Sequence, residues 1–129
     1  MSDEPRRAPW LEHLRQPRQA GGWPAGSAGV ATGEAGEEAE GRLIRLQLRR
    51  APDGRIAEAR FKAFGCAATL ASASYLAERV AGLSPEAAAA LRPEDVVRAL
   101  ELPPERGRAA ELAVAALHRA LEGLGRGEC

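Results

Sequence analysis

The sequence has little of several things that define whole classes of protein. Its two cysteines, Cys66 and Cys129, are too few for the disulfide framework of a small secreted domain. No apolar run approaches the roughly 20 residues that a membrane-spanning helix needs, and the charged beginning lacks the apolar core of a signal peptide. The net charge is zero, so no excess of one sign predicts binding to nucleic acid or to an anionic membrane. These absences predict a cytoplasmic protein that binds neither.

Catalytic patterns and lysine are scarce as well. No Ser-His-Asp order, glycine-rich phosphate loop or HExxH pattern is present, so we expect the protein not to be an enzyme. Lys62 is the one lysine among 18 basic residues, and alanine is abundant. This usage indicates a GC-rich bacterial coding bias more than a physical requirement.

The 129 residues are enough for one domain with one hydrophobic core, and we expect residues 1–9 and 125–129 to be flexible. A short amphipathic helix is predicted over 10–16, and a mobile loop over 22–41 with a short edge strand near 29–32. Alternating polarity predicts strands over 42–50 and 56–64. The second strand is expected to place Ala57, Ala59, Phe61 and Ala63 on one face. The turn residues Pro52, Asp53 and Gly54 join the two strands into an antiparallel hairpin.

Helical patterns fill the second half of the chain. Apolar spacing predicts a helix over 67–81, and two short helices follow, opened by Ser84-Pro85 and by Pro93. Pro103 and Pro104 precede a long last helix with a continuous apolar face, which is expected to end near Gly123 and Gly125. Strands come early and helices late, which predicts an α+β fold with a small antiparallel sheet packed against several helices.

Cys66 lies where the second predicted strand runs into the first long helix. The unpaired N–H groups and the positive dipole end of that helix favour the thiolate, and so a metal ligand or a sulfur nucleophile. Lys62, Arg42 and Arg108 are expected to act in the same direction. The competing interpretation is a purely structural cysteine, since free cysteine is among the most buried residue types.

The stretch FKAFGCAATLASAS around Cys66 resembles the segment around the second cluster-binding cysteine of the IscU/NifU-type iron–sulfur cluster scaffolds. WLEHLRQPRQAGG resembles the amino-terminal segment of the same family, with matches at His13, Pro17, Arg18 and Gly21. The resemblance implies the fold of that family, and it places His13 in the amino-terminal helix with a packing or hydrogen-bonding role.

The family holds a transient [2Fe-2S] cluster with three cysteines, an aspartate two residues after the first and a histidine just before the third. By this resemblance Glu40 occupies the first cysteine position and Arg42 the aspartate position. Arg108 occupies the histidine position and Ala109 the third cysteine position. The separations of 26 and 43 residues fit the spacing of the family without a gap, so these are substitutions at the site.

The retained donors, Cys66 and Glu40, fall short of the four that zinc or a cluster iron takes, and arginine cannot coordinate a metal. A single chain is therefore expected not to hold a cluster as its relatives do, which leaves a cluster or zinc shared between chains. Cys66 is the one metal ligand retained. His118 matches no ligand position, and we expect it to be solvated or to cap a helix.

The resemblance also includes the loop Leu-Pro-Pro-Val-Lys that a dedicated chaperone reads in the family. Here Leu102, Pro103 and Pro104 are retained while Glu105 replaces valine. Retained chaperone binding and a simple helix start remain alternatives.

Two functional hypotheses follow. In the first, the protein is a divergent member of the iron–sulfur cluster assembly family that accepts sulfur as a persulfide on Cys66 or shares a cluster between protomers. In the second, it is a regulatory or interaction module without metal, which pairs with a complete scaffold or with a cysteine desulfurase. The second rests on Arg42, Arg108 and Glu40, which could form ion pairs where the family has ligands.

Overall fold

The computed structural model describes residues 8–15, 20–24 and 26–126. In that part of the chain three strands form one antiparallel sheet in the order β1-β2-β3, and five helices accompany it. Two 3-10 turns, Glu38–Glu40 and Pro104–Arg106, precede β2 and the last helix. The strands are β1 (Val30–Glu37), β2 (Arg42–Arg50) and β3 (Ile56–Phe64), and the helices are α1 (Pro9–Arg15), α2 (Ala67–Val80), α3 (Pro85–Ala89), α4 (Pro93–Leu100) and α5 (Gly107–Arg126).

The core lies between one face of the sheet and the helices α2 and α5. On β2 the alternating residues Ile44, Leu46 and Leu48 are fully buried, as the period-2 pattern predicted. Leu76 of α2 and Leu117 of α5 are fully buried in the same cluster. The predicted α+β fold is confirmed, and no helix of the described residues is long and apolar enough to cross a membrane.

The expectation of a mobile loop over 22–41 was wrong for its second half, because residues 30–37 form β1 along the whole of β2. β1 buries only small residues, Ala31, Gly33 and Ala35, on its helix face. A Cβ built on Gly33 would lie 2.2 Å from the carbonyl oxygen of Ala116, so α5 packs directly on the strand backbone. Small residues and glutamates are typical of loops. In β1 the small residues are needed because α5 packs closely against the backbone of the strand.

The face expected for β3 needs a correction at its start. Ala57 is exposed while Ile56 is fully buried. The register shifts between Arg49 and Arg50, so that Arg49 lies opposite Glu58 and Arg50 opposite Ile56. One extra residue on a strand reverses the phase of its alternation, and Ala59 and Phe61 then point into the core as predicted.

The helix boundaries follow the predicted signals. The Ser84 side chain accepts a hydrogen bond from the Ala87 N–H at 3.1 Å, which caps α3. The last helix was expected to end near Gly123 and Gly125, and α5 passes through both and ends at Arg126. Of the termini expected to be flexible, Pro9 lies in α1 and residues 125–126 in α5, while residues 1–7 and 127–129 lie outside the described residues.

Candidate functional site

Cys66 is the N-cap residue of α2, with an extended backbone of φ −74° and ψ 170°. Its side chain is exposed, so the purely structural interpretation of a buried cysteine is wrong. Gly65 before it has φ +136°, which only glycine adopts readily, and the chain can therefore turn sharply from β3 into the helix. The Cys66 Sγ lies 3.4 Å from the Thr69 Oγ1 one turn along the helix. The thiol is thus presented to solvent at the positive end of α2.

The surroundings of Cys66 favour its thiolate. Burial alone raises the pKa of this thiol, but the Thr69 hydroxyl, the N–H groups of Thr69 and Ala68 and the charge of Arg106 together lower it, and the net effect is a lowered pKa. The cation whose charge lowers this pKa is Arg106, which the sequence did not single out, while the expected effects of Lys62, Arg42 and Arg108 stay predictions. A lowered pKa increases the fraction of nucleophilic thiolate at neutral pH.

Replacing Thr69 by valine should slow the reaction of Cys66 with an alkylating reagent at neutral pH. The change keeps the shape of the side chain and removes the hydroxyl that hydrogen-bonds the thiolate, so the pKa of Cys66 should rise. The measurement is the alkylation rate against pH in the Cys129→Ser background. Ser72→Ala is the matched control, because the Ser72 Oγ is buried without a hydrogen bond within the described residues. Equal kinetic pKa values for the wild type and Thr69→Val would contradict the assignment.

Beside Cys66 a chain of ion pairs joins the end of β1, the start of β2 and the start of α5. The Glu37 Oε2 lies 2.9 Å from the Arg108 Nη2 and accepts a hydrogen bond from the Arg108 Nε at 3.0 Å. The Glu37 Oε1 lies 3.6 Å from the Arg42 Nη1. Arg108 also bonds Glu111 at 2.7 Å, and Arg42 lies 4.0 Å from Glu40. We name these five residues the Glu37 network. Arg42 and Arg108, which the family resemblance assigns to ligand positions, thus share one carboxylate.

Sequence reasoning expected Glu40 to be the carboxylate that joins the two arginines. In the structure Glu40 lies at the edge of the network with its side chain 61 % exposed, and Glu37 takes the central position. Glu37 corresponds to none of the ligand positions in the family motif, and it lies in the segment interpreted as a loop. Had β1 been predicted over its full length, the alternation of the strand would have placed Glu37 on the helix face with Ala31, Gly33 and Ala35.

Acid should weaken the fold partly through Glu37. Arg108 holds the pKa of this carboxyl below its usual value, against a smaller opposing effect of burial. A carboxyl whose pKa is lower in the folded than in the unfolded state stabilises the fold above its unfolded pKa, and this contribution is lost as the pH falls through its folded pKa.

The Glu37→Gln variant should therefore lose less stability on acidification than the wild type. Urea unfolding at neutral pH and at about pH 3.5 measures the difference. Glu105→Gln, which changes an exposed glutamate outside the Glu37 network, serves as the control. If the free energy of unfolding falls equally with pH in Glu37→Gln and in the wild type, this ion pair has no such role.

The starts of β2, α2 and α5 meet around Cys66. The Cγ of Arg42 lies 3.3 Å from the position of a Cβ on Gly65, so β2 touches the turn before Cys66. Ala109, next to Arg108, is 1 % exposed and belongs to the core. Within the described residues no three histidine, cysteine, aspartate or glutamate side chains are placed to hold a metal. By the family resemblance arginine occupies two of the ligand positions, and because a guanidinium does not coordinate a metal, these residues are predicted not to fit a cluster.

The two histidines lie apart from this arrangement. His13 is 9 % exposed, its Nδ1 is 2.8 Å from the Ser74 Oγ, and its ring meets Tyr75 edge-on. The predicted packing and hydrogen-bonding role of His13 is confirmed. His118 is exposed on α5, as expected for a solvated residue.

The loop before α5 connects the site to α1. Leu102 is buried, and residues 104–106 form the 3-10 turn that leads into the helix. Arg106 lies 5.3 Å from the ring centroid of Trp10, a cation–π contact that ties this loop to the amino-terminal helix. The structure accounts for the two prolines as a helix start, and a chaperone contact through Leu102, Pro103 and Pro104 stays a prediction.

Residues 7–126 match the family described as NifU-like N terminal domain, and the chain belongs to that family.

Curated relatives agree with this assignment. The chain is 45% identical over 116 residues to the bifunctional protein NifU/MnmA of Rubrobacter xylanophilus, covering 87% of this chain and 23% of that protein. It is 34% identical over 111 residues to the iron–sulfur cluster assembly scaffold protein IscU of Escherichia coli, covering 86% of this chain and 87% of the relative. A Drosophila melanogaster relative named iron–sulfur cluster assembly enzyme IscU is 36% identical, covering 86% of this chain and 72% of the relative. The chain thus spans less than a quarter of the first relative and most of the other two.

Solved structures share the fold. A candidate iron–sulfur cluster assembly scaffold for the SUF system from Fervidobacterium islandicum superposes with a TM-score of 0.68 at 16% identity, over 87% of this chain and 93% of that one. The amino-terminal part of a NifU-like protein from Brucella abortus gives a TM-score of 0.61 at 20% identity, over 92% of this chain and 91% of that one. At these identities the likeness supports the fold alone.

Proposed function

We propose that this protein takes part in iron–sulfur cluster assembly as a divergent member of the scaffold family, and that it carries sulfur on Cys66. The observation that carries the proposal is the exposed Cys66 thiol at the start of α2, with its pKa lowered by Thr69, Ala68 and Arg106. A relative named as an iron–sulfur cluster assembly scaffold protein and one named as an iron–sulfur cluster assembly enzyme support the general role. The protein acts as a carrier and not as an enzyme.

The sulfur step balances without a further reactant. The Cys66 thiolate attacks the outer sulfur of a persulfide on the donor, and a new sulfur–sulfur bond forms at Cys66. The sulfur–sulfur bond of the donor breaks, and its electron pair leaves with the donor's thiolate. The transferred sulfur keeps its proton, so Cys66 becomes a persulfide and the donor returns to its thiolate form. A lowered thiol pKa supports this step because the thiolate is the attacking species.

The Glu37 network argues against a cluster held by one chain. Two guanidinium groups beside Cys66 disfavour the approach of a metal cation, and their charge is already balanced by carboxylates. Freeing Glu37 to bind a metal would leave Arg108 without its partner. Sulfur transfer needs one thiolate and no metal, and it therefore suits the residues that are present.

Labelling with radioactive sulfur tests the carrier role. The Cys129→Ser variant is incubated with a cysteine desulfurase and labelled cysteine, separated from the enzyme and analysed without reductant. We expect label that is released by reductant, and we expect the Cys66→Ser, Cys129→Ser variant to carry none. Equal label on the two variants would sink the persulfide proposal.

A second function, an interaction module that pairs with a complete scaffold or a desulfurase, is favoured by one observation. The Glu37 network joins β1, β2 and α5 without a metal, so the site can keep its shape in the absence of one. The test is reconstitution with iron and sulfide under anaerobic conditions. Visible cluster absorption with about one iron pair per chain would exclude this module, and half that amount in a dimer would indicate a cluster shared between chains.

A further inference from the structure

An exposed aromatic residue lies next to the thiol, on the sheet face that is turned away from α2 and α5. Phe64, the last residue of β3, is 68 % exposed and precedes Cys66 by two residues. It lies opposite Leu43 of β2. An open groove of about 340 Å³ lies beside it along β3, an edge strand of the sheet, and extends to Leu70 of α2; its lining includes Ala20, Phe61, Lys62, Ala63 and Phe64. Among the described residues Phe64 is the most exposed large apolar side chain.

This face of the sheet also has an excess of positive charge. Arg45 pairs with Glu34, and Glu58 is shared between Arg49 and Arg60. Lys62 lies directly opposite Arg45, and no ion pair joins it to another residue of the described part of the chain. Glu34 already compensates the charge of Arg45, so the charge on this face without a carboxylate partner within the described residues is that of Lys62. The face is therefore complementary to an acidic surface.

We propose that Phe64 and Lys62 form the surface that docks the protein which donates sulfur to Cys66. The partner has an apolar pocket for the Phe64 ring and a carboxylate that meets Lys62. This inference rests on the proposed function and names the chemistry of the partner for the same site.

Geometry places Phe64 inside the footprint of any donor. Sulfur transfer requires the two sulfur atoms to come within bonding distance, about 2 Å, so the donor must cover the surface around Cys66. A specific interface buries about 800 Å² on each partner, far more than the area of one thiol. An aromatic side chain two residues from the reacting atom lies within that area, and buried aromatic anchors contribute most to the affinity of such interfaces.

Binding is measured separately from transfer. The probe is a purified cysteine desulfurase, titrated with the Cys66→Ser, Cys129→Ser protein so that no sulfur moves. Phe64→Ala should weaken the Kd by about tenfold or more, and Lys62→Glu should slow association and reduce its dependence on salt. Leu14→Ala, an apolar residue of α1 with 38 % exposure, and Arg55→Glu, at the other end of the sheet, are the matched controls and should leave the Kd unchanged. Circular dichroism checks that each variant is folded.

The outcomes separate this inference from the proposed function. Binding that depends on Phe64, together with labelled sulfur on Cys66 in the transfer assay, supports both. Binding that depends on Phe64 without label on Cys66 supports the docking surface and overturns the carrier role. Wild-type affinity in Phe64→Ala, or no binding by the unsubstituted surface, overturns the docking surface even if sulfur reaches Cys66.

Discussion

Restoring the family ligands should give a protein that binds one zinc ion per chain. The variant combines Glu40→Cys, Arg42→Asp, Arg108→His and Ala109→Cys with the native Cys66, in the Cys129→Ser background. It supplies three thiolates, a carboxylate and an imidazole, and tetrahedral zinc needs four such donors. Arg42 touches Gly65 and shares Glu37 with Arg108, so at least two of these positions lie beside Cys66. The wild type should bind zinc weakly.

The effect on stability should be large and should depend on zinc. Without metal the variant should be less stable than the wild type, since it lacks both arginines of the Glu37 network. Zinc at about a thousand times its Kd should add about 4 kcal/mol to the free energy of unfolding, measured by urea denaturation. The same variant with Cys66→Ser is the control and should gain much less. A folded variant that binds no zinc would show that the positions do not converge, and the alignment with the family would have to be abandoned.

A side chain at Gly33 should be among the most destabilising changes in the chain. A Cβ at this position would lie 2.2 Å from the Ala116 carbonyl oxygen and 2.3 Å from the Ala120 nitrogen, both backbone atoms of α5. No side-chain rotation relieves such contacts, so the helix must move away from β1. We expect Gly33→Ala to lower the free energy of unfolding by about 3 kcal/mol or more.

A side chain at Gly123, on the same interface, should instead stabilise the fold. It lies within α5, and a Cβ there would meet the Ala31 Cβ at 3.4 Å, an ordinary contact. Because alanine is the better helix former, Gly123→Ala should raise the free energy of unfolding by about 0.5–1 kcal/mol. Urea unfolding of the two variants measures both changes. Similar effects in both would mean that α5 does not pack on the backbone of β1.

Much of the fold could be predicted because its signals are local. The alternation of β2, the Ser84 cap and the two prolines before α5 each specify their element within a few residues. Only the start of β1, the edge strand expected near 29–32, could be predicted in this way, because its buried residues are alanine and glycine and carry almost no hydrophobic signal. Its identity as a strand depends on α5, about 80 residues later in the chain, which fills the space that larger side chains would otherwise take.

The candidate site was predictable to a smaller extent. Spacing placed Arg42 and Arg108 at substituted ligand positions, and the structure joins them through one carboxylate. Neither Glu37 nor Arg106 could be assigned by that spacing, since their roles depend on contacts between elements far apart in sequence. The metal-ligand role of Cys66 and the assignment of Glu40 and Ala109 to substituted ligand positions stay predictions.

The cation–π contacts give the protein two separate optical probes. Trp10 of α1 lies under Arg106 beside the site, while Trp23 lies on the outer face of the sheet, 4.4 Å from the Arg60 guanidinium and anchored by Gln47. These are the only two tryptophans in the sequence. In Trp23→Phe the ultraviolet emission comes from Trp10 alone and follows the release of α1 from the loop before α5. In Trp10→Phe it follows the outer sheet face, so the loop before α5 and the outer sheet face can be observed separately without an added dye.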